Sequence, residues 1–319
     1  MTPGKGKVKI LITGGAGFIA SSLAEKLAAD PKHHVVIADN LITGDLRKIP
    51  VSPHHNIEFI KADVNNFNEI TDVFLAHHFQ YVFHYAALVG VQRTLSQPLL
   101  VLHDLQGIRH ILNLSTTSSV KRVFFSSSSE VYGEPVEYPQ NEETTPLNSR
   151  LPYAIVKNAG EAYLKAYYKE YGLSYTIFRF FNTYGAKQSP DFVISRFIRS
   201  ALKNEPITIN GDGKQTRTFC YVDDNVDACV RAFTHQQSVD DVINIGSENE
   251  TSILDLANLI IRLTGSKSKI VHGPALTEGD MTRRRPDTTK MKQLLERDLL
   301  PLEEGIKRIL ADTSFINRP

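Results

Sequence analysis

The stretch "VKILITGGAGFIASSLAEKL", residues 8–27, joins an apolar run to a glycine-rich turn and a helical pattern. An apolar run without polar alternation is typical of a strand that is buried on both faces of a parallel sheet. Because the turn follows this strand and opens the helix, its glycines indicate a dinucleotide-binding fold. We expect Gly14 and Gly17 to admit a pyrophosphate at the helix N-terminus, where N–H groups favour anions, with Ala20 as the third small residue of the pattern.

Similar apolar runs recur along the chain and are separated by helical patterns. They lie at 34–40, 57–64, 81–87, 122–129, 174–182 and, later, 242–246. This alternation predicts an α/β fold, a Rossmann-type doubly wound parallel sheet.

The pattern changes after Asn182, where loops, one helix and short strands replace the alternation. We therefore expect a smaller, discontinuous C-terminal substrate lobe. Its predicted segments are 182–218 and 247–319, and the Rossmann domain would comprise 1–181 with 219–246 returning to it. Within the lobe, Thr251 is expected to cap a helix that ends at Gly265.

Composition narrows the class of protein. The 319 residues include 36 Lys and Arg against 35 Asp and Glu, a net charge of +1. This balance gives no electrostatic reason to expect nucleic acid or an anionic membrane as a partner. Two cysteines, Cys220 and Cys229, cannot build a disulfide framework. Since the N-terminus also shows no positively charged start followed by a long apolar run, we expect a soluble protein in the reducing cytoplasm. No apolar run approaches the roughly 18 residues of a membrane span.

Acidic residues after the second and third predicted strands favour one cofactor. Asp39 ends the second strand, 22 residues after Gly17. A carboxylate there accepts both ribose hydroxyls and repels a 2′-phosphate, so we expect NAD rather than NADP. Asp63 either meets the adenine amine or caps the next helix. Further cofactor contacts are expected at Phe18, Ile19, Asn40, Val64, Ala86 and Ala87.

The segment "PYAIVKNAGEAYLKAYYKEYG" predicts a helix from Pro152 to Gly172. Tyr153 and Lys157 are four residues apart, so both project from one helical face. A phenol with an ordinary pKa of about 10 is a poor base at neutral pH, and a neighbouring ammonium stabilises its anion. The pair is therefore a candidate general base. The serine-rich strand end at 126–129 can add a hydroxyl beside the same reacting oxygen.

These motifs occur in one order with "ADN", "HYAA", "SSSSEVYG", "RFFNTYG", "GDGKQTRTFCYVDD" and "RRRPDTTK", over nearly the whole chain. The set resembles the extended short-chain dehydrogenase/reductase family of NAD-dependent nucleotide-sugar epimerases, dehydratases and decarboxylases. The resemblance implies that Tyr153 removes the sugar 4-hydroxyl proton, that Lys157 holds the nicotinamide ribose and lowers the tyrosine pKa, and that Ser128 orients the hydroxyl. It also implies that a hydride passes from C4 to bound NAD and usually returns.

The same resemblance implies contacts with a UDP-sugar in the C-terminal lobe. Asn182, Arg217 and Arg284 match residues that contact the diphosphate. An arginine fork suits this task because it binds phosphate oxygens bidentately and keeps its charge. The segment "ITINGDGKQTRTF", which contains Ile209, resembles the one that lies along the uracil.

Three other arginines have a simpler interpretation. Arg196 can reach phosphate, but an exposed helical arginine is the plainer alternative. Arg283 and Arg285 flank Arg284, and charge runs of this kind usually stay solvated.

Glu130 separates the reactions that can follow C4 oxidation. Members that eliminate water carry an Asp-Glu pair after the catalytic Ser or Thr, whereas this chain has Ser129-Glu130. UDP-glucuronate decarboxylases carry Ser-Glu there, and Arg150 also resembles theirs. Against this, "ALVGVQRTLSQP" (87–98) resembles the epimerase arrangement. Glu130 is therefore either a catalytic carboxylate or a structural one.

The sequence favours 4-epimerisation of a UDP-sugar over decarboxylation, with dehydration third. A protein of another class, one that senses NAD or scaffolds a partner without catalysis, is the remaining alternative, and the intact Ser128, Tyr153 and Lys157 argue against it. The family commonly forms homodimers through two helices of each subunit, for which 98–117 and 153–171 are the matching segments.

Overall fold

The structure is a computed structural model that describes residues 7–134, 136–274, 283–312 and 314, without the side chains of residues 91, 92 and 237. Among these residues the strands are β1 (Val8–Thr13), β2 (His33–Asp39), β3 (Ile57–Lys61), β4 (Tyr81–His84), β5 (Arg122–Ser128), β6 (Ser174–Phe180), β7 (Thr183–Tyr184), β8 (Ile207–Asn210), β9 (Thr216–Thr218), β10 (Cys220–Tyr221), β11 (Asp241–Ile245), β12 (Glu250–Ser252) and β13 (Ile270–Gly273). The helices are α1 (Phe18–Ala28), α2 (Phe67–Ala76), α3 (Val91–Ser96), α4 (Pro98–Thr117), α5 (Pro152–Tyr171), α6 (Val193–Leu202), α7 (Val222–Thr234), α8 (Ile253–Thr264), α9 (Thr289–Leu295) and α10 (Leu302–Ala311). Short 3₁₀ turns occupy Leu46–Lys48, Ser129–Tyr132 and Gln236–Ser238.

Seven of the described strands form the central sheet, in the order β11-β6-β5-β4-β1-β2-β3. β1 pairs in parallel with β2 on one side and β4 on the other, and the pairs β2–β3 and β4–β5 are also parallel. The strand order therefore reverses between β1 and β4. This reversal is the topological switch point, where open α/β sheets bind ligands. The predicted Rossmann-type doubly wound fold is confirmed.

The central strands are buried because their apolar runs have no polar alternation. Ile10, Leu11 and Ile12 follow one another in β1 and are all fully buried, although neighbouring side chains point to opposite faces of the sheet. On one face the core joins the sheet to α2, α4 and α5, through residues such as Ile70, Ile111 and Val156. Apolar side chains on both faces thus place the sheet between two layers of helices.

Helix ends follow the sequence signals with one exception. Pro152 begins α5, and Gly172 ends it in the left-handed conformation, with φ at 70°. Gly265 ends α8 in the same way. The predicted cap of α8 is wrong by one residue, because the Ser252 hydroxyl accepts the Asp255 N–H at 3.0 Å. Thr251 instead lies in β12, opposite Arg217 of β9.

The chain divides into two compact units. The described residues within Met1–Val131, Ser149–Arg179 and Val226–Ile243 form the first unit. Those within Tyr132–Asn148, Phe180–Asn225 and Asn244–Pro319 form the second. The described residues of 132–148 belong to the second unit, whereas the sequence pattern predicts them in the Rossmann domain. The domain boundaries given there stay a prediction.

The second unit contains short paired strands in place of a large sheet. β7 pairs with β10, β9 with β12 and β8 with β13. An ion pair between Arg297 and Asp224, at 2.5 Å, joins the segment after α9 to α7.

Both cysteines, Cys220 and Cys229, are buried and reduced. Across the described part of the chain, the helices are too short or too polar for any to cross a membrane.

Candidate active site

The glycine turn after β1 packs against the end of β4. Gly14 has φ at +69°, and a Cβ added there would lie 2.7 Å from both the N and the Cα of Ala86. A Cβ on Gly17 would lie 2.9 Å from the Gly14 carbonyl oxygen. Gly17 also precedes α1, whose first turn is capped by no side chain of the described residues. The turn therefore offers backbone N–H groups at a helix N-terminus, in a cradle that larger residues would fill, which fits a pyrophosphate.

Asp39 closes the same cradle from the end of β2. It is 7% exposed, and its two carboxylate oxygens accept the N–H groups of Ala16, at 2.9 Å, and Leu41, at 2.8 Å. Burial raises the pKa of Asp39, and the two backbone hydrogen bonds oppose that rise. The carboxylate thus stands beside the glycine turn, where the dinucleotide-binding pattern requires a ribose acceptor.

The other expected cofactor contacts follow the ends of β1 to β4. Asp63 accepts the Asn65 N–H at 2.8 Å, in a turn before α2, so its carboxylate has a local structural role. The N-cap of α2 is Asn66. Phe18, Ile19, Asn40, Ala86 and Ala87 are partly exposed, whereas Val64 is buried. Their contact with a cofactor stays a prediction.

Ser128, Tyr153 and Lys157 lie in the first unit, at the end of β5 and in the first two turns of α5. Ser128 is the last residue of β5, and its hydroxyl accepts the Glu130 N–H at 3.2 Å. The Lys157 Nζ lies 5.7 Å from the centre of the Tyr153 ring and donates to the Ser126 hydroxyl at 3.3 Å. The four-residue spacing on α5 therefore brings the ammonium beside the phenol.

The ammonium of Lys157 is buried, with 3% of the residue exposed. Burial lowers the pKa of Lys157 to about 8, and the negative charge of Asp104 opposes this shift. Asp104 is fixed by the Leu88 N–H at 2.7 Å and the Asn65 amide at 3.2 Å. Because a pKa of about 8 leaves the ammonium mostly charged at neutral pH, it can stabilise a phenolate at Tyr153.

The four serines at the end of β5 have different partners. Ser126 accepts from Lys157, whereas Ser127 donates to the Glu161 carboxylate at 2.5 Å. Ser128 accepts the Glu130 N–H, and Ser129 is buried where the strand passes into a 3₁₀ turn. Glu130 lies in that turn and is partly exposed. The serine run thus both supports Lys157 and supplies the hydroxyl of Ser128.

A buried ion pair fixes the middle of α5. The Arg179 guanidinium on β6 donates to both Glu161 oxygens, at 2.9 and 2.7 Å, and both residues are 1% exposed. Since Ser127 donates to the same carboxylate, Glu161 connects α5 to β5 and β6. This three-way contact lies one helical turn after Lys157.

His84, from the "HYAA" motif, is a buried neutral side chain. Burial and the nearby Lys157 charge lower the pKa of His84 to about 3. Its Nδ1 lies 2.8 Å from the Thr13 hydroxyl, which joins the ends of β4 and β1. This contact holds the ends of β1 and β4 together, next to the point where Gly14 packs against Ala86.

Asn182 is the predicted substrate residue with the clearest structural signal in the second unit. Its φ is +35°, outside the usual range for a residue other than glycine. Its side-chain nitrogen is buried and has no hydrogen-bond partner among the described residues. A buried donor without a partner is costly, so this amide is available to a ligand oxygen.

The predicted arginines of the second unit differ in their surroundings. Arg217 lies on β9 and donates to the Thr216 carbonyl at 2.7 Å. Arg284 is 5% exposed. The Arg283 side chain is 42% exposed but ion-paired: it donates to both oxygens of Glu250, at 2.6 and 2.5 Å, and its guanidinium carbon lies 4.6 Å from the centre of the Tyr138 ring. Arg285 keeps a buried Nε without a partner among the described residues.

The burial of two predicted substrate residues bears on how their side chains can bind. Ile209 on β8 is 0% exposed, so a nucleotide contact at this position would fall to its backbone. Arg196 lies exposed on α6, as the plainer alternative expects.

Three supporting residues were missed from the sequence. Ser126 and Glu161 carried a usable signal, because one lies two residues before Ser128 on the same strand and the other lies four residues after Lys157 on the same helix. Asp104 carried none, since its closeness to Lys157 comes from the packing of α4 beside α5.

Comparison with known proteins gives a single family. A sequence model of the NAD dependent epimerase/dehydratase family matches residues 10–246. The chain is 38% identical to the UDP-N-acetyl-alpha-D-glucosaminuronate decarboxylase of Bacillus cytotoxicus, over 95% of this chain and 97% of that protein. It is 34% identical to a putative UDP-glucose 4-epimerase of Methanocaldococcus jannaschii, over 94% of this chain and 97% of that protein.

Among solved structures, the chain is similar to the UDP-glucose 4-epimerase of Thermotoga maritima, determined with UDP-glucose. The TM-score is 0.89 at 33% identity, and the match covers 95% of this chain and 98% of that one.

Proposed function

The chain belongs to the NAD-dependent epimerase/dehydratase family, and we propose that it is a UDP-sugar 4-epimerase that acts through a 4-keto intermediate. One observation carries the proposed oxidation at C4. The buried Lys157 ammonium lies beside the Tyr153 ring and donates to Ser126, which is on the same strand as Ser128. The similar proteins named above act on or bind UDP-sugars, which supports the substrate class.

The cofactor of this family is NAD, and the cradle fits a dinucleotide. Gly14 and Gly17 would admit the pyrophosphate, Asp39 would accept the ribose hydroxyls and Lys157 would hold the nicotinamide ribose. When bound, NAD supplies the acceptor for the hydrogen and electron pair that leave C4 of the sugar.

The chain's own groups move the proton. Tyr153 takes the proton of the 4-hydroxyl while the C4–H bond breaks and the C4–O bond becomes a carbonyl. Lys157 stabilises the phenolate form of Tyr153, since its pKa of about 8 keeps it mostly charged at pH 7. Ser128 holds the reacting oxygen by a hydrogen bond. In the return step the hydride is delivered to C4 and the C4–H bond forms again, while Tyr153 gives the proton back to the ketone oxygen.

Epimerisation needs no acid or base beyond these groups, because the ketose has only to present its other face before reduction. The segment 87–98 supports this outcome through its resemblance to epimerases. In the structure it contains Gly90, with φ at +111°, and the short helix α3.

In the second unit, we propose that Asn182, Arg217 and Arg284 bind the diphosphate. The buried Asn182 amide without a partner among the described residues supports this assignment. Arg285, whose Nε is also buried without a described partner, is a further candidate.

Decarboxylation is the second candidate, and Glu130 is the observation that favours it. Glu130 lies two residues after Ser128, the last residue of β5, and its N–H donates to the Ser128 hydroxyl. Once C4 is a ketone, a carboxylate near C5 and C6 of the sugar could assist the reaction at those two carbons. The 38% identical relative, a decarboxylase, supports this alternative.

A substrate panel tests the proposal. Purified protein would be incubated with UDP-glucose, UDP-glucuronate and their N-acetyl relatives, and products analysed by mass spectrometry and NMR. A product of unchanged mass and inverted C4 supports the epimerase, and a product lighter by CO₂ replaces it with the decarboxylase. No product and no reduced cofactor with any sugar would favour the non-catalytic alternative.

The variant Glu130→Gln separates the two reactions on the true substrate. We expect turnover to fall far less than the roughly 100-fold typical of removing a general acid or base. Glu134→Gln is the matched control, since Glu134 is exposed four residues further on. A severe loss with accumulated 4-keto sugar, absent from the control, would contradict the epimerase.

We also propose that the protein is a cytoplasmic homodimer joined through α4 and α5. Exposed small and apolar side chains along α5, at Ile155, Ala162 and Ala166, support a partner helix on this face.

A further inference from the structure

Six of the eleven histidines fall in three adjacent pairs, at 33–34, 54–55 and 77–78. The proposed function uses none of these six. Two of them, His34 and His77, come together with Glu58 in the first unit.

The three side chains are brought together at the amino ends of two strands. His34 is the second residue of β2, and Glu58 is the second residue of β3. Val36 pairs with Glu58, and His34 lies two residues before Val36, so all three point to the same face of the sheet. α2 packs on that face, and His77 is the residue at its C-terminal end.

The donor atoms lie close enough together to reach one metal ion. The His34 Nε2 lies 3.3 Å from one Glu58 oxygen, and the His77 Nε2 lies 3.7 Å from the other. One donor atom from each residue lies within 4.8 Å of the other two. Zinc bonds of about 2.0–2.1 Å at a tetrahedral angle separate neighbouring donor atoms by roughly 3.3 Å.

The rings are held in place by apolar and aromatic neighbours. The His77 ring stacks on Phe79, with centres 5.3 Å apart, and its centre lies 6.2 Å from that of the His34 ring, at 30° between the two ring planes. The His77 side chain is only 10% exposed, whereas Glu58 is 44% exposed. The imidazoles are therefore fixed from one side, and the carboxylate side is open to water, which can supply a fourth ligand.

We propose that His34, Glu58 and His77 form a Zn²⁺ site. Imidazole nitrogen suits zinc, whereas Mg²⁺ and Ca²⁺ prefer all-oxygen ligands. Glu58 supplies a negative charge, and Lys9 on β1, which acts electrostatically on His77, opposes a cation and weakens the site.

The site joins β2, β3 and the end of α2 and lies away from the proposed chemistry. His34 and Asp39 are five residues apart on β2, which corresponds to about 16 Å of extended strand. A metal there is expected to stabilise the fold, because an ion that binds the folded chain but not the unfolded one shifts the equilibrium towards folding.

Zinc binding to the tag-free, full-length protein tests this proposal. ZnCl₂ would be titrated after chelator treatment, and binding followed by calorimetry and by competition with a chromophoric chelator. We expect one equivalent to bind, a higher unfolding temperature with zinc, and no effect of equimolar MgCl₂. Absence of stoichiometric binding would overturn the proposal.

Matched variants locate the site. His77→Gln and Glu58→Gln should each weaken zinc binding at least tenfold, and His78→Gln, at the exposed neighbouring histidine, should leave it unchanged. Equal loss in His78→Gln, or wild-type affinity in both His77→Gln and Glu58→Gln, would place the metal elsewhere and overturn the proposal. Circular dichroism of the zinc-free variants shows whether they are folded, and Glu58→Gln, which keeps the side chain's shape, gives the result if His77→Gln is not.

Discussion

Asp39 combines a structural and a proposed functional role in one carboxylate. It holds the backbone of Ala16 and Leu41, so it fixes the glycine turn and the start of the loop after β2. In its proposed role, its negative charge at the end of β2 would also repel a 2′-phosphate. A substitution therefore has to be judged on both cofactor binding and stability.

Replacing Asp39 by Ala should weaken NAD binding by about 10- to 100-fold, as expected for the loss of a hydrogen bond to a charged group. NADP binding should fall less, because the repulsion of its extra phosphate disappears. Dissociation constants for both cofactors, measured by calorimetry, check this. Asp39→Asn is the control, since it removes the charge and keeps one acceptor for the backbone. Equal losses for NAD and NADP in Asp39→Ala would contradict the assignment.

At the scale of elements, α5 carries the proposed catalytic pair and is fixed by its buried carboxylate. Glu161 receives hydrogen bonds from Arg179 of β6 and Ser127 of β5. Because all three groups are buried, the loss of one leaves the others without a hydrogen-bond partner and out of reach of water. The helix that positions Tyr153 and Lys157 thus depends on two neighbouring strands.

We expect Glu161→Ala to lower the free energy of unfolding by about 3–5 kcal/mol, because it leaves the Arg179 charge buried and unpaired. Denaturant unfolding followed by circular dichroism measures this change. Glu303→Ala is the control: it removes the partner of Arg262 in an exposed pair on the surface, for which about 0–1 kcal/mol is typical. Similar effects of the two substitutions would show that the buried pair contributes little.

At the scale of the whole molecule, the proposed dimer depends on α5 presenting small and apolar side chains to a second copy. Ala162 and Ala166 are exposed on this helix, and α4 packs beside it. An isologous pairing of these two helices would bury the same surface on both subunits.

Light scattering at micromolar concentration should give twice the 35.7 kDa mass of the chain. Ala162→Glu should shift the protein to the monomer, because it places a charge in the proposed interface. Ala76→Glu, an exposed change at the end of α2, should remain dimeric. A monomeric wild-type protein, or a dimeric Ala162→Glu variant, would argue against pairing through α5.

Much of the fold could be predicted because its signals are local. The apolar runs gave the strands of the central sheet, and Pro152 and Gly172 gave the ends of α5, since each depends on a few neighbouring residues. The glycine turn and Asp39 were recognisable for the same reason. The cap of α8 was missed by one residue because Thr251 pairs in a strand with Arg217, a contact that local patterns do not report.

The α/β class, the family motifs and the spacing of Tyr153 and Lys157 can be read from the amino-acid sequence alone. The surroundings of each side chain follow from the packing of the fold. This packing buries Lys157 near Asp104, pairs Arg283 with Glu250 and brings His34, Glu58 and His77 together across two strands and a helix end. These contacts join residues far apart in the chain, and burial and charge depend on that packing, so neither spacing nor composition could specify them.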